Sequence, residues 1–91
     1  MARTNYPKDP DATLDYLIDW SDWLDDDTIS TSTWTVADGI TQEAGATKTA
    51  TTTTVWISGG TAGMSYAVTN HIVTTAGRED DRTFVVRVRE R

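Results

Sequence analysis

One histidine and a few serines are the side chains from which this chain of 91 residues could build a hydrolytic site. A nucleophilic serine needs a base and a carboxylate that orients the base, so Ser58 or Ser65 would have to combine with His71 and Asp80. Neither serine lies in the Gly-x-Ser-x-Gly turn that exposes a nucleophile at the end of a strand. A single histidine also excludes a pair of imidazole metal ligands. We therefore expect no enzymatic activity and no catalytic residues.

Two other patterns resemble ligand sites but lack the spacing that such sites need. Asp22, Asp25, Asp26 and Asp27 are carboxylates of the kind that bind Ca²⁺, but they do not alternate and no glycine forms the tight turn of a calcium loop. The glycine-rich segment 59–63 lacks the Lys-Ser/Thr of a phosphate loop and lies between predicted strands rather than before a helix. We predict a solvated acidic turn and an ordinary turn, with no metal and no cofactor.

The acidic side chains are concentrated near the N-terminus. The chain has 14 acidic and 8 basic side chains, a net charge of −6. Residues 1–30 contain two basic side chains and eight aspartates, whereas residues 78–91 contain five arginines and four acids. Affinity for nucleic acid comes from Lys and Arg that neutralise phosphates, so we expect no nucleic-acid partner. An acidic beginning and an arginine-rich end would also allow copies to attract one another head to tail.

The absence of cysteine and of long apolar segments indicates where the chain folds. Without cysteine there is no disulfide framework, which fits a protein made in a reducing cytoplasm. The polar N-terminus does not resemble a signal peptide, and no segment is apolar over the length needed to cross a bilayer. We expect no membrane association.

Threonine-rich and aromatic segments separated by glycine predict a fold made of β-strands. Threonine is β-branched and suits a pleated, half-solvated surface. Near the C-terminus Phe84, Val86 and Val88 occupy alternate positions, which predicts a strand with one buried face. Residues 1–12 contain both prolines and no apolar periodicity, so we predict an extended N-terminal arm ahead of one domain at 13–91. The predicted strands cover residues 29–36, 40–43, 51–58, 65–75 and 83–89, with a bend at 44–46. In the strand at 51–58, Val55 and Ile57 share one face and Trp56 lies on the other.

Residues 14–24 fit two kinds of structure. Apolar residues at alternate positions from Leu14 to Trp20 would share one face of a strand, whereas those three or four apart from Leu14 to Leu24 would share one face of a helix. Aromatic residues and isoleucine favour the strand. The helix stays open as an alternative.

Tyr66 provides the most specific local signal. It opens a predicted strand three residues after the turn at Gly63, as in the tyrosine corner of immunoglobulin and fibronectin type III sandwiches. In that arrangement the tyrosine hydroxyl bonds to the backbone upstream. We therefore predict an all-β, immunoglobulin-like or fibronectin type III-like sandwich of about seven antiparallel strands.

Four tryptophans in so small a domain are expected to divide between core and interface. We predict Trp34 and Trp56 in the core. Trp20 and Trp23 lie beside acidic residues and could belong to the core or anchor a protein–protein contact, where tryptophan is enriched. An aromatic platform for sugars is the alternative use of exposed indoles.

The order of several segments resembles a known protein family. The resemblance is to the small structural proteins encoded in the virion modules of tailed bacteriophages, some of them described as fibre–tail adaptors. It extends from about residue 8 to the C-terminus, and no single motif in it is diagnostic. The segments are KDPDA at 8–12, LDY at 14–16, DWSDWL at 19–24, DTISTS at 27–32, VWISGGTAG at 55–63, YAVTN at 66–70 and GREDDR at 77–82.

The resemblance implies a virion component with an immunoglobulin-like fold, present in several copies and without catalytic activity. We expect an adaptor that docks fibres or other virion proteins at the tail or head–tail region, with tail, fibre, portal or capsid proteins as partners. Capsid decoration is the alternative, and a carbohydrate-binding module is a third possibility. The predicted interface residues are Tyr6, Pro7, Trp20, Trp23, Arg78 and Arg82.

Overall fold

The strands of this protein form two facing sheets joined by short connections. The computed structural model describes residues 4–89, which contain seven strands and a single helical turn. The elements are β1 Thr4–Lys8, β2 Leu14–Asp19, α1 Ser21–Leu24, β3 Ile29–Val36, β4 Ile40–Lys48, β5 Thr52–Gly59, β6 Ser65–Thr74 and β7 Glu79–Val88. Within this part of the chain no helix is long and apolar enough to cross a membrane.

The two sheets differ in size and in the direction of one pairing. The first has the order β1-β7-β6-β3 and the second the order β2-β5-β4. All neighbours are antiparallel except β1 and β7, which run parallel from the pair Thr4–Phe84 to the pair Lys8–Val88. The prediction of an all-β sandwich is confirmed, although one of its seven strands is parallel to its neighbour. The more specific immunoglobulin-like assignment stays a prediction.

Alternating side chains build the main core between the sheets. Val86 of β7, which was predicted to point inward, is completely buried, and so are Val55 and Ile57, which share one face of β5. Burying one such side chain contributes about 1.5–3 kcal/mol, so this layer provides much of the stability. The complete set of buried residues in this cluster is Tyr16, Ile40, Val55, Ile57, Tyr66, Val68, Phe84, Val86 and Val88.

Residues 14–24 combine both structures that the sequence left open. Residues from Leu14 to Asp19 form β2, and a single turn of helix follows from Ser21 to Leu24. The carboxylate of Asp19 accepts a hydrogen bond of 2.9 Å from the backbone N–H of Ser21, which starts the turn. The turn ends at Asp25, whose φ of 57° is the one positive value at a non-glycine residue among those described.

A second, smaller cluster lies at the α1 end of the sandwich. Trp20, Leu24, Ile29 and Ile72 are buried there, separate from the main core. Trp20 and Leu24 reach it because the helical turn folds the chain back over the ends of both sheets. We call this group the end core.

A buried polar network joins the two sheets beside the end core. The indole N–H of Trp20 donates to Asn70 Oδ1 at 3.0 Å, and the hydroxyl of Thr53 donates to the same oxygen at 2.7 Å. The amide of Asn70 in turn donates to Ser32 Oγ at 2.9 Å and to the carbonyl of Thr33 at 3.0 Å. Since Thr53 belongs to one sheet and Asn70 to the other, the network fixes their relative position.

Strand β4 is longer than the sequence analysis predicted. The predicted short strand at 40–43 and the predicted bend at 44–46 both belong to β4, and the register against β5 shifts between Glu43 and Thr47. Gly45 has a φ of 109° within this shift, a conformation that favours glycine. The bend is therefore a bulge within a strand, which lets pairing resume after it.

Part of the predicted N-terminal arm lies against the sandwich. Residues 4–8 form β1, while residues 1–3 lie outside the described residues. Lys8 is completely buried, and its ammonium donates to the carbonyl of Gly59 at 2.7 Å and to that of Asp9 at 2.9 Å. Burial lowers the pKa of Lys8, and Asp9 and Asp11 counteract that effect. The division of the chain at residue 12 stays a prediction.

Candidate protein interface

Four of the six predicted interface residues lie together at one end of the sandwich. The guanidinium of Arg78 lies over the ring of Trp23, 4.4 Å from its centroid, and that of Arg82 lies 4.3 Å from the ring centroid of Trp20. The two indoles contact each other edge to face, with centroids 5.6 Å apart. Each cation–π contact contributes about 0.5–2 kcal/mol, depending on how far it is desolvated. We call Trp20, Trp23, Arg78 and Arg82 the Trp–Arg cluster.

Both arginines also hold the backbone around α1. Arg78 donates to the carbonyl of Leu24 at 2.9 Å, and Arg82 donates to the carbonyl of Asp19 at 2.9 Å. The C-terminal carbonyls of a helical turn lack partners within the turn, so Arg78 supplies one. The arginines therefore attach the turn to β7 and to the connection that precedes it.

Asp27 joins the same end of the molecule to the β6–β7 connection. Its carboxylate accepts hydrogen bonds from the backbone N–H of Thr28 at 2.8 Å and of Ala76 at 3.1 Å, and it pairs with Arg78 at 3.2 Å. The hydroxyl of Thr74, followed by these backbone and arginine donors, lowers the pKa of Asp27 to about 2. Asp27 is thus a structural anchor within the acidic turn predicted at 25–27.

Trp20 cannot serve as an interface residue in this structure. Its side chain is completely buried, with the indole N–H bonded inside the polar network. Of the two roles that the sequence left open, the structure places Trp20 in the core. Trp23 is half-buried, and the side chain of Arg78 is 46% exposed, so these two can contact a partner from the surface.

The remaining two predicted residues lie on β1 and face opposite ways. Tyr6 points inward and packs on Tyr16 and Phe84, with ring centroids 5.2 and 5.3 Å away. Pro7 is exposed at the sheet edge.

The hydroxyl of Tyr16 is buried without a hydrogen-bond partner among the described residues, and burial raises its pKa.

A shallow cavity connects β1 to the Trp–Arg cluster. It has a volume of about 200 Å³ and lies between β1, β2 and β7, with Arg82 in its wall. Leu17 borders it and is 53% exposed. The sequence analysis did not include Leu17 among the candidate interface residues; its signal is an apolar residue out of phase with Tyr16 and Ile18 on β2, which places it on the outer face. The lining residues are Tyr6, Leu17, Ile18, Asp19, Arg82 and Thr83.

The prediction that Trp56 belongs to the core is wrong. Trp56 is 37% exposed on the outer face of β5, beside Gly45 of the β4 bulge. It lies between Asp15 and Glu43 on the neighbouring strands, on the outer face of the sheet. Trp34 is half-buried and packs against the main core. The four indoles therefore do not form one shared platform.

Tyr66 makes the kind of contact on which the tyrosine-corner prediction depends. Its hydroxyl accepts a hydrogen bond from the backbone N–H of Thr61 at 2.9 Å. Gly63, with a φ of 90°, lies in the intervening turn and donates its N–H to the carbonyl of Val88 at 2.8 Å. The contact closes the turn between β5 and β6, and its assignment as an immunoglobulin-type corner stays a prediction.

His71 lies between two acids on the outer face of the four-stranded sheet. Its Nδ1 is 2.5 Å from Asp81 and its Nε2 is 3.0 Å from Glu79, both on the adjacent strand β7. Hydrogen bonding to Asp81, with a further contribution from Glu79, raises the pKa of His71. Since Asp81 lies directly opposite His71 in the β6–β7 register, these contacts follow from strand pairing.

The fold and the surface define a small all-β module whose exposed apolar and arginine side chains suit contact with other proteins. Its sequence identifies the family within this class. The chain belongs to the family described as Podophage GP4 fiber-tail adaptor protein gp77, which matches residues 8–87. The resemblance predicted from the sequence is therefore confirmed. A search of the curated proteins finds no match.

Proposed function

We propose that this chain is a non-enzymatic structural component of a tailed-phage virion that docks fibres at the tail or head–tail region. The observation that carries this proposal is membership, over residues 8–87, of a family described as a podophage fibre–tail adaptor. In this function the protein is made in the host cytoplasm and assembles in several copies with tail and fibre proteins. In this function it has no nucleic-acid partner, which its net charge of −6 supports.

We further propose that the sandwich is of the immunoglobulin type. The order β2-β5-β4 opposite β7-β6-β3 matches strands B, E and D opposite G, F and C of that fold. The hydroxyl of Tyr66 at the start of β6 supports the same assignment, because β6 would be strand F. In this assignment β1 is the exception, because it pairs in parallel with β7 and so belongs to the opposite sheet.

The docking surface that we propose extends from Leu17 to Trp23. Leu17 is a half-exposed apolar side chain next to a cavity, and Trp23 with Arg78 adds an aromatic and a charged group at the adjacent end. Interfaces of this kind gain most of their affinity from a few aromatic and arginine anchors. Tyr6 of β1 lines the same cavity, and Pro7 is the exposed residue that follows it on this strand. Docking is passive, through burial of apolar area and arginine–carboxylate contacts at the rim.

A binding measurement with matched variants tests this function. The full chain is immobilised and the fibre and tail proteins of the same particle are flowed over it. Leu17→Asp is compared with Met64→Asp, because both side chains are 53% exposed but Met64 lies in the connection between β5 and β6. We expect binding to the fibre or tail protein that Leu17→Asp weakens by about tenfold or more and Met64→Asp leaves unchanged.

Two outcomes would contradict the proposal in different ways. If the wild-type chain binds the major capsid protein and neither fibre nor tail protein, it is a capsid decoration protein. If it binds fibre or tail protein but Met64→Asp weakens binding as much as Leu17→Asp, the adaptor function stands and the proposed surface is wrong.

A further inference from the structure

Three of the four sheet edges carry features that hinder pairing with another chain. Each sheet ends in two edge strands, β1 and β3 in one and β2 and β4 in the other. Strand β1 has five residues and includes Pro7, which has no N–H to donate. Strand β2 carries Asp15 and Asp19, and β4 carries Glu43, Lys48 and a register shift. Proline, charge and bulges are the usual means by which proteins protect an edge.

Strand β3 lacks this protection. Its eight residues, from Ile29 to Val36, include no charged residue and no proline. The register against β6 shifts only at the first pair, between Ile29 and Thr31, and is regular from Thr31 to Val36. Along a regular edge, every second residue presents its N–H and C=O away from the sheet. Strand β3 therefore offers a template for one more strand from Thr31 to Val36, whereas at its beginning the N–H of Ile29 is already bonded to the carbonyl of Ala50 at 2.9 Å.

A cavity lies beside this edge and would be covered by an added strand. Strands β3 and β4 separate from their connection at 37–39 towards Ser32 and Lys48, leaving a cavity of about 210 Å³ between them. Trp34 lines it and is half-buried. A strand that pairs with β3 would shield the exposed part of this indole from water, which adds apolar burial to the backbone hydrogen bonds.

We propose that β3 pairs with β3 of a second copy, antiparallel about a twofold axis near Thr33. Because the strand has no charge, no like charges face each other along it despite the net charge of −6. The outward row Thr31, Thr33 and Thr35 meets the same row of the other copy, and threonine pairs are favourable cross-strand neighbours. The unprotected edge is present on every copy, so the contact is self-complementary, as twofold contacts require. This inference does not depend on the proposed adaptor function.

The contact is small, which sets the affinity that we expect. A pairing of one eight-residue strand buries less area than a standard stable interface. We therefore expect a dissociation constant on the order of micromolar to millimolar for the free protein. Within an assembly that holds neighbouring copies close together, the effective concentration exceeds that value.

Sedimentation equilibrium of the full chain from micromolar to millimolar concentration tests the proposal. We expect a monomer–dimer equilibrium that Thr33→Lys weakens by about tenfold or more, because the two lysines would face each other across the axis. The matched control is Thr41→Lys, which adds the same charge at an exposed position on the protected edge β4 and should leave the dimer unchanged. A mixture of Thr33→Lys and Thr33→Glu should associate again.

The proposal is wrong if the wild-type chain stays monomeric up to millimolar concentration, or if Thr41→Lys weakens the dimer as much as Thr33→Lys does. Circular dichroism checks that each variant folds. If Thr33→Lys does not fold, hydrogen exchange of the wild-type chain decides instead. Slower exchange of the β3 amides at high concentration supports the pairing, and exchange that does not change with concentration overturns it.

Discussion

The phenolic oxygen of Tyr66 and the backbone N–H of Thr61 are joined by a hydrogen bond of 2.9 Å across the turn between β5 and β6. The ring that carries this oxygen lies between two glycines. A Cβ on Gly39 would lie 2.6 Å from Tyr66 Cε1, and one on Gly60 would lie 3.4 Å from Cε2. The two missing side chains therefore make the space that lets the hydroxyl reach Thr61.

Removing that hydroxyl should cost stability without changing the core. In Tyr66→Phe the ring still fills its site, but the N–H of Thr61 loses its acceptor in a partly buried position. We expect the free energy of unfolding to fall by about 1 kcal/mol, measured by urea denaturation. Tyr6→Phe is the control, since Tyr6 contributes ring contacts to the same core. An equal loss in both variants would mean that the hydrogen bond contributes nothing specific.

Gly60 should tolerate alanine much less well than Gly77 does. Both have similar positive φ values, 102° and 92°. A Cβ on Gly60 would lie 2.6 Å from Val88 Cγ2, whereas nothing lies within 4 Å of one on Gly77. We expect Gly77→Ala to cost about 1 kcal/mol from backbone strain, and Gly60→Ala to cost about 2–4 kcal/mol because steric overlap is added. Equal losses in thermal or urea unfolding would show that β7 moves away from residue 60 at no cost.

Replacing Asn70 by leucine should be among the most destabilising single changes in the chain. The side chain of Asn70 links Trp20 and Thr53 through its oxygen, and Ser32 and the Thr33 carbonyl through its nitrogen. Leucine has a similar size but removes one hydrogen-bond partner from each of these groups, and the indole N–H of Trp20 keeps only its 3.3 Å hydrogen bond to the hydroxyl of Thr53. Each buried group that is left without a partner costs about 1–3 kcal/mol. We expect a loss of at least about 3 kcal/mol in urea denaturation.

A conservative second change separates this effect from packing. Thr53→Val removes one hydroxyl of the same network and keeps the β-branched shape. We expect it to cost about 1–2 kcal/mol. If Asn70→Leu left the free energy of unfolding unchanged, something other than this network would hold the two sheets together.

The free energy of unfolding at low pH should depend on Asp27. Its pKa is lowered from 3.8 to about 2 in the folded chain, so the folded state binds the proton less readily than the unfolded state does. The resulting stabilisation is complete above pH 4 and is lost as the pH falls from about 4 to about 2. Asp27→Asn should flatten the dependence of stability on pH in this window. Asp26→Asn, which removes the same charge from an exposed neighbour, is the matched control.

The sequence predicted those parts of the fold where one strand face is buried. Along β7 the apolar residues alternate, and Val86 lies inward as predicted. The alternation along β5 indicated that Trp56 points away from Val55. We nevertheless predicted Trp56 in the core, and the error shows that strand position outweighs residue type.

Features that depend on distant parts of the chain could not be predicted from the alternation of apolar residues. Strand β1 has no alternation of its own and exists because residues 84–88 lie beside it. The helical turn after Asp19 is too short to produce a periodic pattern, so the fully buried position of Trp20 was not evident. Four predicted interface residues were nonetheless brought together, because Arg78 and Arg82 flank the start of a strand that packs on the turn carrying both tryptophans.

The parallel pairing of β1 with β7 also determines when the protein can finish folding. Residues 4–8 pair with residues 84–88, and five other strands lie between the two segments in the sequence. Until β7 is in place, β1 has no neighbouring strand. Closing so long a stretch of chain is slow compared with forming local contacts. We therefore expect docking of β1 on β7 to be the last step of folding.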